Sequence, residues 1–173
     1  MKTKLFIGLI AIALCTTSCK TTIPAMDSID PTFFLKVTNV PDIEVDENFS
    51  DSNVVYLERD ATFNILFSGK DDGGVQEVRW ELPTNDVVEV VDDLPGNWVE
   101  LPGTISMRTF RNQGDMSDPR SSILYGGEII PRGNSLGVQD VVFTFTITDF
   151  NGNTTVKPIT IRINPDRTEI GPR

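Results

Sequence analysis

The chain has 173 residues, of which 39% are hydrophobic and 23% charged, and this mixture is typical of a single globular domain. Fifteen basic residues against 25 acidic ones give a net charge of −10. This balance argues against a nucleic-acid partner, because phosphate contacts require lysine or arginine. The sequence contains no histidine, which excludes Ser-His-Asp and Cys-His catalysis and any zinc site built on imidazole.

The first 18 residues have the features of an export signal. Lys2 and Lys4 give a positively charged start, and residues 5–14 form an apolar run. A run of this length is too short to span a membrane, which needs about 20 apolar residues, but it fits the hydrophobic region of a secretory signal. We therefore expect residues 1–18 to be removed as a signal peptide.

The signal ends in Cys-Thr-Thr-Ser-Cys, residues 15–19, which resembles the lipobox of bacterial lipoproteins. In that motif a small residue precedes a cysteine that is lipidated and becomes the mature N-terminus. Cys19 follows Ser18 and fits the motif, whereas Cys15 follows the bulky Leu14. Thr16 departs from the motif, which usually has leucine there. The resemblance implies a lipid anchor on Cys19, and an ordinary signal that leaves a free or paired cysteine is the alternative.

Removal of the signal and its two lysines would leave a mature chain of net charge −12. With Cys19 lipidated, that chain would have no thiol for a disulfide or for nucleophilic catalysis. Contact with the membrane would come through the acyl chains alone, because so acidic a domain is repelled by anionic headgroups. Lys20 stands where lipoproteins of the inner membrane often carry aspartate, which favours the outer membrane. Periplasmic and surface orientations both stay open.

Residues 19–32 mix Thr, Ser, Pro and small residues without periodicity and are predicted to form a flexible tether. From residue 33 to 165, apolar and polar residues alternate with period two, which predicts β-strands. The predicted strands are 33–40, 62–67, 77–82, 87–91, 105–110, 143–148 and 159–163. Strands with one apolar face pack as two antiparallel sheets around a shared core, so the fold is predicted to be an all-β sandwich of about seven strands.

Residues 111–137 interrupt this pattern. The segment is rich in Gly, Ser, Asp and Pro, and its apolar residues are confined to 123–125 and 129–130. We expect an elaborated crossover here, inserted before the last two strands, with room for one extra edge strand. Residues 166–173 are expected to be a C-terminal tail.

Two stretches resemble bacterial immunoglobulin-like domains. Residues 70–80 read K-D-D-G-G-V-Q-E-V-R-W, similar to the segment that leads into strand C of those domains. Residues 142–163, with T-D-F-N-G-N-T at the centre, are similar to their closing F–G hairpin. Together with the lipobox, they resemble small lipoproteins of Bacteroidetes with a single immunoglobulin-like domain, many of unknown function. The resemblance implies an immunoglobulin-like sandwich with Trp80 in its core, and this fold serves adhesins, spacers and binding modules alike.

In such a sandwich the connections 68–74, 92–102 and 149–154 would meet at one pole. That pole would bring together the acidic and amide side chains of Asp71, Asp72, Asp92, Asp93, Asp149, Asn151 and Asn153. These oxygens repel one another unless water or a cation screens them, so the alternatives are a hydrated acidic rim and a calcium site. An EF-hand is excluded, because Thr154 and Thr160 occupy the positions of its glycine and its bidentate glutamate. No cofactor is required by the sequence.

The preferred functional interpretation is a non-catalytic binding or assembly module for a protein or glycan partner in the cell envelope. A passive spacer lipoprotein is the alternative. A glycoside hydrolase that uses two carboxylates is a remote alternative, since nothing in the sequence marks a cleft between such a pair. A glycan would need an exposed aromatic platform, for which Trp98 and Tyr125 are the candidates.

Overall fold

Twelve strands and no helix form the part of the chain that the computed structural model describes, residues 20–38, 43–84, 87–91, 94–104, 106–133 and 137–173. The strands are β1 (Thr32–Thr38), β2 (Ile43–Asp46), β3 (Asn53–Glu58), β4 (Phe63–Lys70), β5 (Val75–Pro83), β6 (Val88–Val91), β7 (Val99–Leu101), β8 (Met107–Gln113), β9 (Ser122–Pro131), β10 (Gln139–Asp149), β11 (Thr154–Asn164) and β12 (Glu169–Pro172). The predicted signal peptide and Cys19 lie outside the described residues. Within the described ranges, no helix is present that could cross a membrane.

The strands form two sheets. The smaller sheet has the order β2-β1-β4-β9-β6, and the larger sheet has the order β12-β3-β11-β10-β5-β8-β7. Neighbouring strands are antiparallel except for β3, which runs parallel to β11. The prediction of an all-β sandwich of two sheets is confirmed, although the described residues form twelve strands rather than about seven.

The core lies between the sheets and is centred on Trp80, whose side chain is fully buried as predicted. Its ring centroid lies 5.1 Å from that of Phe110, 5.0 Å from that of Tyr125 and 5.6 Å from that of Phe143, and it stacks on Phe145 at 6.2 Å. Aromatic pairs at these separations add to the stabilisation that comes from burial alone. Trp80 thus packs against three rings of its own sheet and, through Tyr125, against the smaller sheet.

The segment 111–137 is not an elaborated crossover, and this prediction is wrong. The segment contains the end of β8 and all of β9, and β9 lies between β4 and β6 inside the smaller sheet. Gly126 and Gly127 interrupt the alternation of apolar and polar residues in β9, so the sequence does not show the strand clearly. A Cβ atom on Gly127 would lie 2.7 Å from Oη of Tyr125, so this position has no room for a side chain.

The predicted C-terminal tail is also wrong, because residues 169–172 form β12 at the edge of the larger sheet. The Tyr56 hydroxyl donates a hydrogen bond to the carbonyl of Pro172 at 2.9 Å. The Arg167 guanidinium lies 3.5 Å from the centroid of the Tyr56 ring, in a cation–π contact. A four-residue strand that includes glycine and proline carries too little pattern to be predicted from the sequence.

Two connections lie side by side at one end of the sandwich. The β4–β5 turn, residues 71–74, is next to the β10–β11 turn, residues 149–153, because β5 and β10 are neighbours in the larger sheet. The backbone N–H of Phe150 donates to the carbonyl of Gly74 at 3.2 Å. We call this end of the molecule, residues 71–74 and 149–153, the turn pole.

Candidate functional site

Asp149 organises the β10–β11 turn. It is 1% exposed, and its Oδ1 accepts hydrogen bonds from the backbone N–H groups of Asn151 at 2.9 Å and Asn153 at 2.8 Å. Its Oδ2 accepts a hydrogen bond from Nδ2 of Asn153 at 2.6 Å. Aspartate side chains often fold back on the following backbone in this way, and Gly152 supplies the positive φ of 93° that the turn needs. The turn chemistry therefore fixes the position of the Asp149 carboxylate.

Asp71 has the same role in the β4–β5 turn. It is 6% exposed, and its Oδ1 accepts a hydrogen bond from the N–H of Gly73 at 2.7 Å. A Cβ atom on Gly73 would lie 2.8 Å from Cδ of Pro24 and 2.9 Å from Oδ2 of Asp27. Glycine at position 73 therefore allows the N-terminal residues to pass directly over this turn.

Asp27 completes a group of three carboxylates. One oxygen each of Asp27, Asp71 and Asp149 lie within 4.8 Å of one another, and we call these residues the acidic cluster. Burial raises the pKa of the Asp71 carboxyl, a hydrogen bond from the Gly73 N–H opposes this, and the negative charges of Asp149 and Asp27 raise it further. Closely spaced carboxylate oxygens of this kind suit a hard cation such as calcium.

Residues 20–31, which we call the N-terminal segment, lie across the turn pole. Three of its carbonyl groups accept hydrogen bonds from the β10–β11 hairpin. These are Pro24 O from Asn151 Nδ2 at 3.4 Å, Asp27 O from Asn153 Nδ2 at 3.1 Å, and Pro31 O from Thr155 Oγ1 at 2.5 Å. The predicted flexible tether is therefore wrong for the described residues 20–31, because side chains of the sandwich bind their backbone.

The beginning of the N-terminal segment is attached to the loop that precedes β9. The N–H of Thr21 donates to the carbonyl of Pro119 at 3.0 Å, and its hydroxyl donates to the carbonyl of Asp72. Nζ of Lys20 forms an ion pair with Oδ1 of Asp118 at 3.0 Å. Exposed ion pairs contribute little stability, so the hydrogen bonds are the main attachment.

The structure brings some of the predicted calcium ligands together and separates others. Asp71 and Asp149 belong to the acidic cluster, whereas the side chain of Asp72 is exposed to solvent. The side-chain amide groups of Asn151 and Asn153 donate hydrogen bonds to the N-terminal segment. Asp92 and Asp93 lie outside the described residues. Asp27 was missed because its segment has no periodicity that would place it on the sandwich.

The predicted aromatic platform of Trp98 and Tyr125 is wrong, because both side chains are part of the core. Trp98 is 4% exposed and Tyr125 is 1% exposed. Their rings meet edge to face at 5.0 Å, and Nε1 of Trp98 donates to the carbonyl of Leu124 at 2.8 Å. Burial raises the pKa of Tyr125 to about 12. Neither ring is available to stack on a sugar.

An apolar surface lies on the outer side of the larger sheet, on the two strands β10 and β11. Val142 is 40% exposed, Val156 is 57% exposed, and Pro158 is also exposed. The cross-strand pairs are Val142 with Thr160, Thr144 with Pro158, and Thr146 with Val156, and we call these six residues the β10–β11 face. A bidentate ion pair between Arg162 and Asp140, at 2.7 and 2.8 Å, borders the face at one end.

A groove of about 290 Å³ adjoins the β10–β11 face. Phe49, Val142 and Pro158 contribute its apolar lining, and Asp51 and Arg173 contribute charged groups. The loop that carries Phe49 is held in place by Nζ of Lys157, which donates to the carbonyls of Glu47 at 3.0 Å and Phe49 at 2.7 Å. Hydrogen bonds within the chain therefore hold this wall of the groove in place.

Neither protein-family models nor curated proteins match the chain. Among solved structures, it is similar to the cohesin module of a family 33 glycoside hydrolase from Clostridium perfringens ATCC13124, with 10% identity and a TM-score of 0.40 over 65% of this chain and 96% of that chain. It is also similar to the collagen-binding subdomain ACE19 of the Enterococcus faecalis surface protein ACE, with 11% identity and a TM-score of 0.38 over 68% and 99%. A third similar structure is the C-terminal domain of the Streptococcus agalactiae AgI/II polypeptide BspA. The identity is 11% and the TM-score 0.41, and the match covers 75% of this chain and 49% of that chain.

Proposed function

We propose that the protein is an exported, lipid-anchored and non-catalytic binding or assembly module of the bacterial cell envelope. We further propose that its partner is a protein that docks on the β10–β11 face. The observation that carries this proposal is the exposure of Val142, Val156 and Pro158 in one patch on a protein of net charge −10. The signal peptide and lipobox predicted from the sequence support export and anchoring.

The composition of this surface supports a protein partner. The solvent side of a sheet in a sandwich is usually polar, so neighbouring apolar side chains there point to an interaction surface. The uncharged face is bordered by the Arg162–Asp140 ion pair and by the pair of Arg79 and Glu81 on β5, which are 3.8 Å apart. An apolar centre with a charged rim is the usual anatomy of protein interfaces. The two aromatic residues predicted to stack on a glycan, Trp98 and Tyr125, are buried and cannot contact it.

Photo-crosslinking tests the proposal. A photoreactive amino acid in place of Val142 or Val156 should give a discrete protein adduct in the envelope of the native host. The same amino acid in place of Asn64, an exposed residue on β4 in the smaller sheet, is the control and should give none. Adducts at all three positions alike, or at none of them, would contradict the proposal, and the second outcome would favour the passive spacer.

The acidic cluster supports calcium binding as a second proposal. Asp27, Asp71 and Asp149 would supply the carboxylate ligands, and the cation would neutralise the repulsion between them.

Calcium in the millimolar range should raise the melting temperature of the protein by several degrees relative to chelator, because it would bind only the folded state. Because the pKa of Asp71 is raised in the folded protein, its ionised form destabilises the fold. Protons and the cation therefore compete for the carboxylate of Asp71. The rise should therefore shrink as the pH is lowered towards the raised pKa of the Asp71 carboxyl.

Asp27→Asn should remove this calcium effect, because it deletes a ligand charge and keeps an oxygen that can accept the hydrogen bond from the Ile29 N–H. Asp30→Asn, three residues further on and outside the cluster, is the matched control and should retain the effect. A rise of less than about one degree in the parent protein would rule out the calcium site.

A further inference from the structure

The described chain begins at the turn pole, one residue after the predicted lipid attachment site Cys19. Thr21 is bonded to Pro119 and Asp72, and Lys20 is paired with Asp118. Cys19 directly precedes Lys20, and consecutive Cα atoms are about 3.8 Å apart. A lipid on Cys19 would leave almost no free chain between the membrane and the turn pole.

Three large apolar side chains are exposed around this attachment point. Met26 is 91% exposed, Ile29 is 72% exposed and Met116 is 64% exposed. The hydrogen bonds that hold Pro24 O and Asp27 O to the β10–β11 turn fix the backbone on either side of Met26. Met116 belongs to the loop 114–118, in which the N–H of Asp118 donates to the carbonyl of Asp115 at 3.1 Å. These side chains are thus held on loops at the end of the molecule that carries the anchor.

We propose that the turn pole rests on the bilayer surface, with Met26, Ile29 and Met116 in the headgroup region. This inference rests on the proposed lipid anchor at Cys19. Exposed apolar side chains beside the acyl chains would add buried area at the interface, in addition to the contact through the acyl chains alone that the sequence predicts. The acidic residues of the pole make an electrically neutral, zwitterionic lipid surface the preferred one, because anionic headgroups would repel them.

The proposal also fixes the direction of the sandwich. β10 has 11 residues and begins at Gln139, at the end opposite the pole. At about 3.3 Å per residue, the strand places Val138 roughly 36 Å from Asp149. Val142 and the groove beside it would stand about 23 Å from the pole along the same strand. The β10–β11 face would then be open to a partner above the membrane.

Fluorescence quenching in vesicles tests the orientation. An environment-sensitive fluorescent amino acid is placed at Met26, Met116 or Val138 of the full-length protein, and the lipidated product, verified by mass, is reconstituted into phosphatidylcholine vesicles. A quencher attached to lipid headgroups should quench positions 26 and 116 several-fold more strongly than position 138, which is 60% exposed and serves as the control. Equal quenching at the three positions, or none at 26 and 116, would overturn the proposal.

The failure of the lipid anchor is distinguishable from the failure of the orientation. An unlipidated protein shows no lipid mass and does not float with the vesicles, which contradicts the anchoring alone. Its Cys19 thiol is then coupled to a maleimide headgroup lipid, and the same three positions are compared. Preferential quenching of positions 26 and 116 supports the orientation in this preparation, and its absence overturns it.

Discussion

The replacement of Trp80 by alanine should lower the free energy of unfolding by about 3–5 kcal/mol or prevent folding altogether. This is a large share of the roughly 5–15 kcal/mol that stabilises a typical domain. The side chain is fully buried and contacts the rings of Phe110, Tyr125, Phe143 and Phe145. Its removal would leave a cavity between the two sheets, because the surrounding aromatic rings can move only partly into the vacated space.

Thermal and denaturant unfolding measure this loss. Thr146→Ala on the outer side of β10 is the control, and it should cost less than about 1 kcal/mol. Thr146 is 8% exposed, less than expected for a solvated face, because Arg79 and Val156 flank it in the sheet.

Trp80→Phe keeps the experiment informative where the alanine variant does not fold. Nε1 of Trp80 is buried and has no hydrogen-bond partner among the residues that the structure describes, so phenylalanine removes an unsatisfied donor together with some volume. This variant should fold. Its loss of unfolding free energy relative to the parent should be smaller than that of the alanine variant. An unchanged melting temperature in both variants would contradict the central position of Trp80.

Cys19→Ser should abolish the incorporation of labelled palmitate and move the protein from the membrane to the soluble fraction. Cys19 is the cysteine that the lipobox resemblance predicts to be lipidated, and serine cannot form the thioether to the lipid. Metabolic labelling followed by fractionation measures both effects. Cys15→Ser is the matched control and should leave the labelling unchanged. Labelling that persists in Cys19→Ser, or that is lost only in Cys15→Ser, would show the lipobox assignment to be wrong.

The strands that could be predicted are those with one buried and one solvated face. In β5, for example, Val78, Trp80 and Leu82 are buried, and the residues between them face solvent or ion pairs. β3 could not be predicted in this way, because Val54, Val55, Tyr56 and Leu57 are all buried. Arg162 and Arg167 lie over the outward-facing ring of Tyr56, and β12 pairs along the edge of β3. A strand buried on both faces shows no alternation.

The candidate site was predictable only in the parts that follow regular strands. Asp71 and Asp149 come directly after β4 and at the end of β10, so their proximity follows from the pairing of β5 with β10. Asp27 could not be placed, because the N-terminal segment is bound through its backbone carbonyl groups, which leave no pattern in the sequence. Trp98 was assigned to the surface because a loop residue has no periodicity to show which way its side chain points.

The edge strands of the two sheets determine whether molecules crowded on a surface can pair with one another. The four edge strands β2, β6, β7 and β12 have only three or four residues each, whereas the interior strands reach 11. Each edge carries a glutamate, and β12 also has a proline. Short, charged edges resist pairing with the edge of another molecule. Copies crowded on one membrane by the proposed lipid anchor would therefore remain separate instead of joining their sheets into fibres.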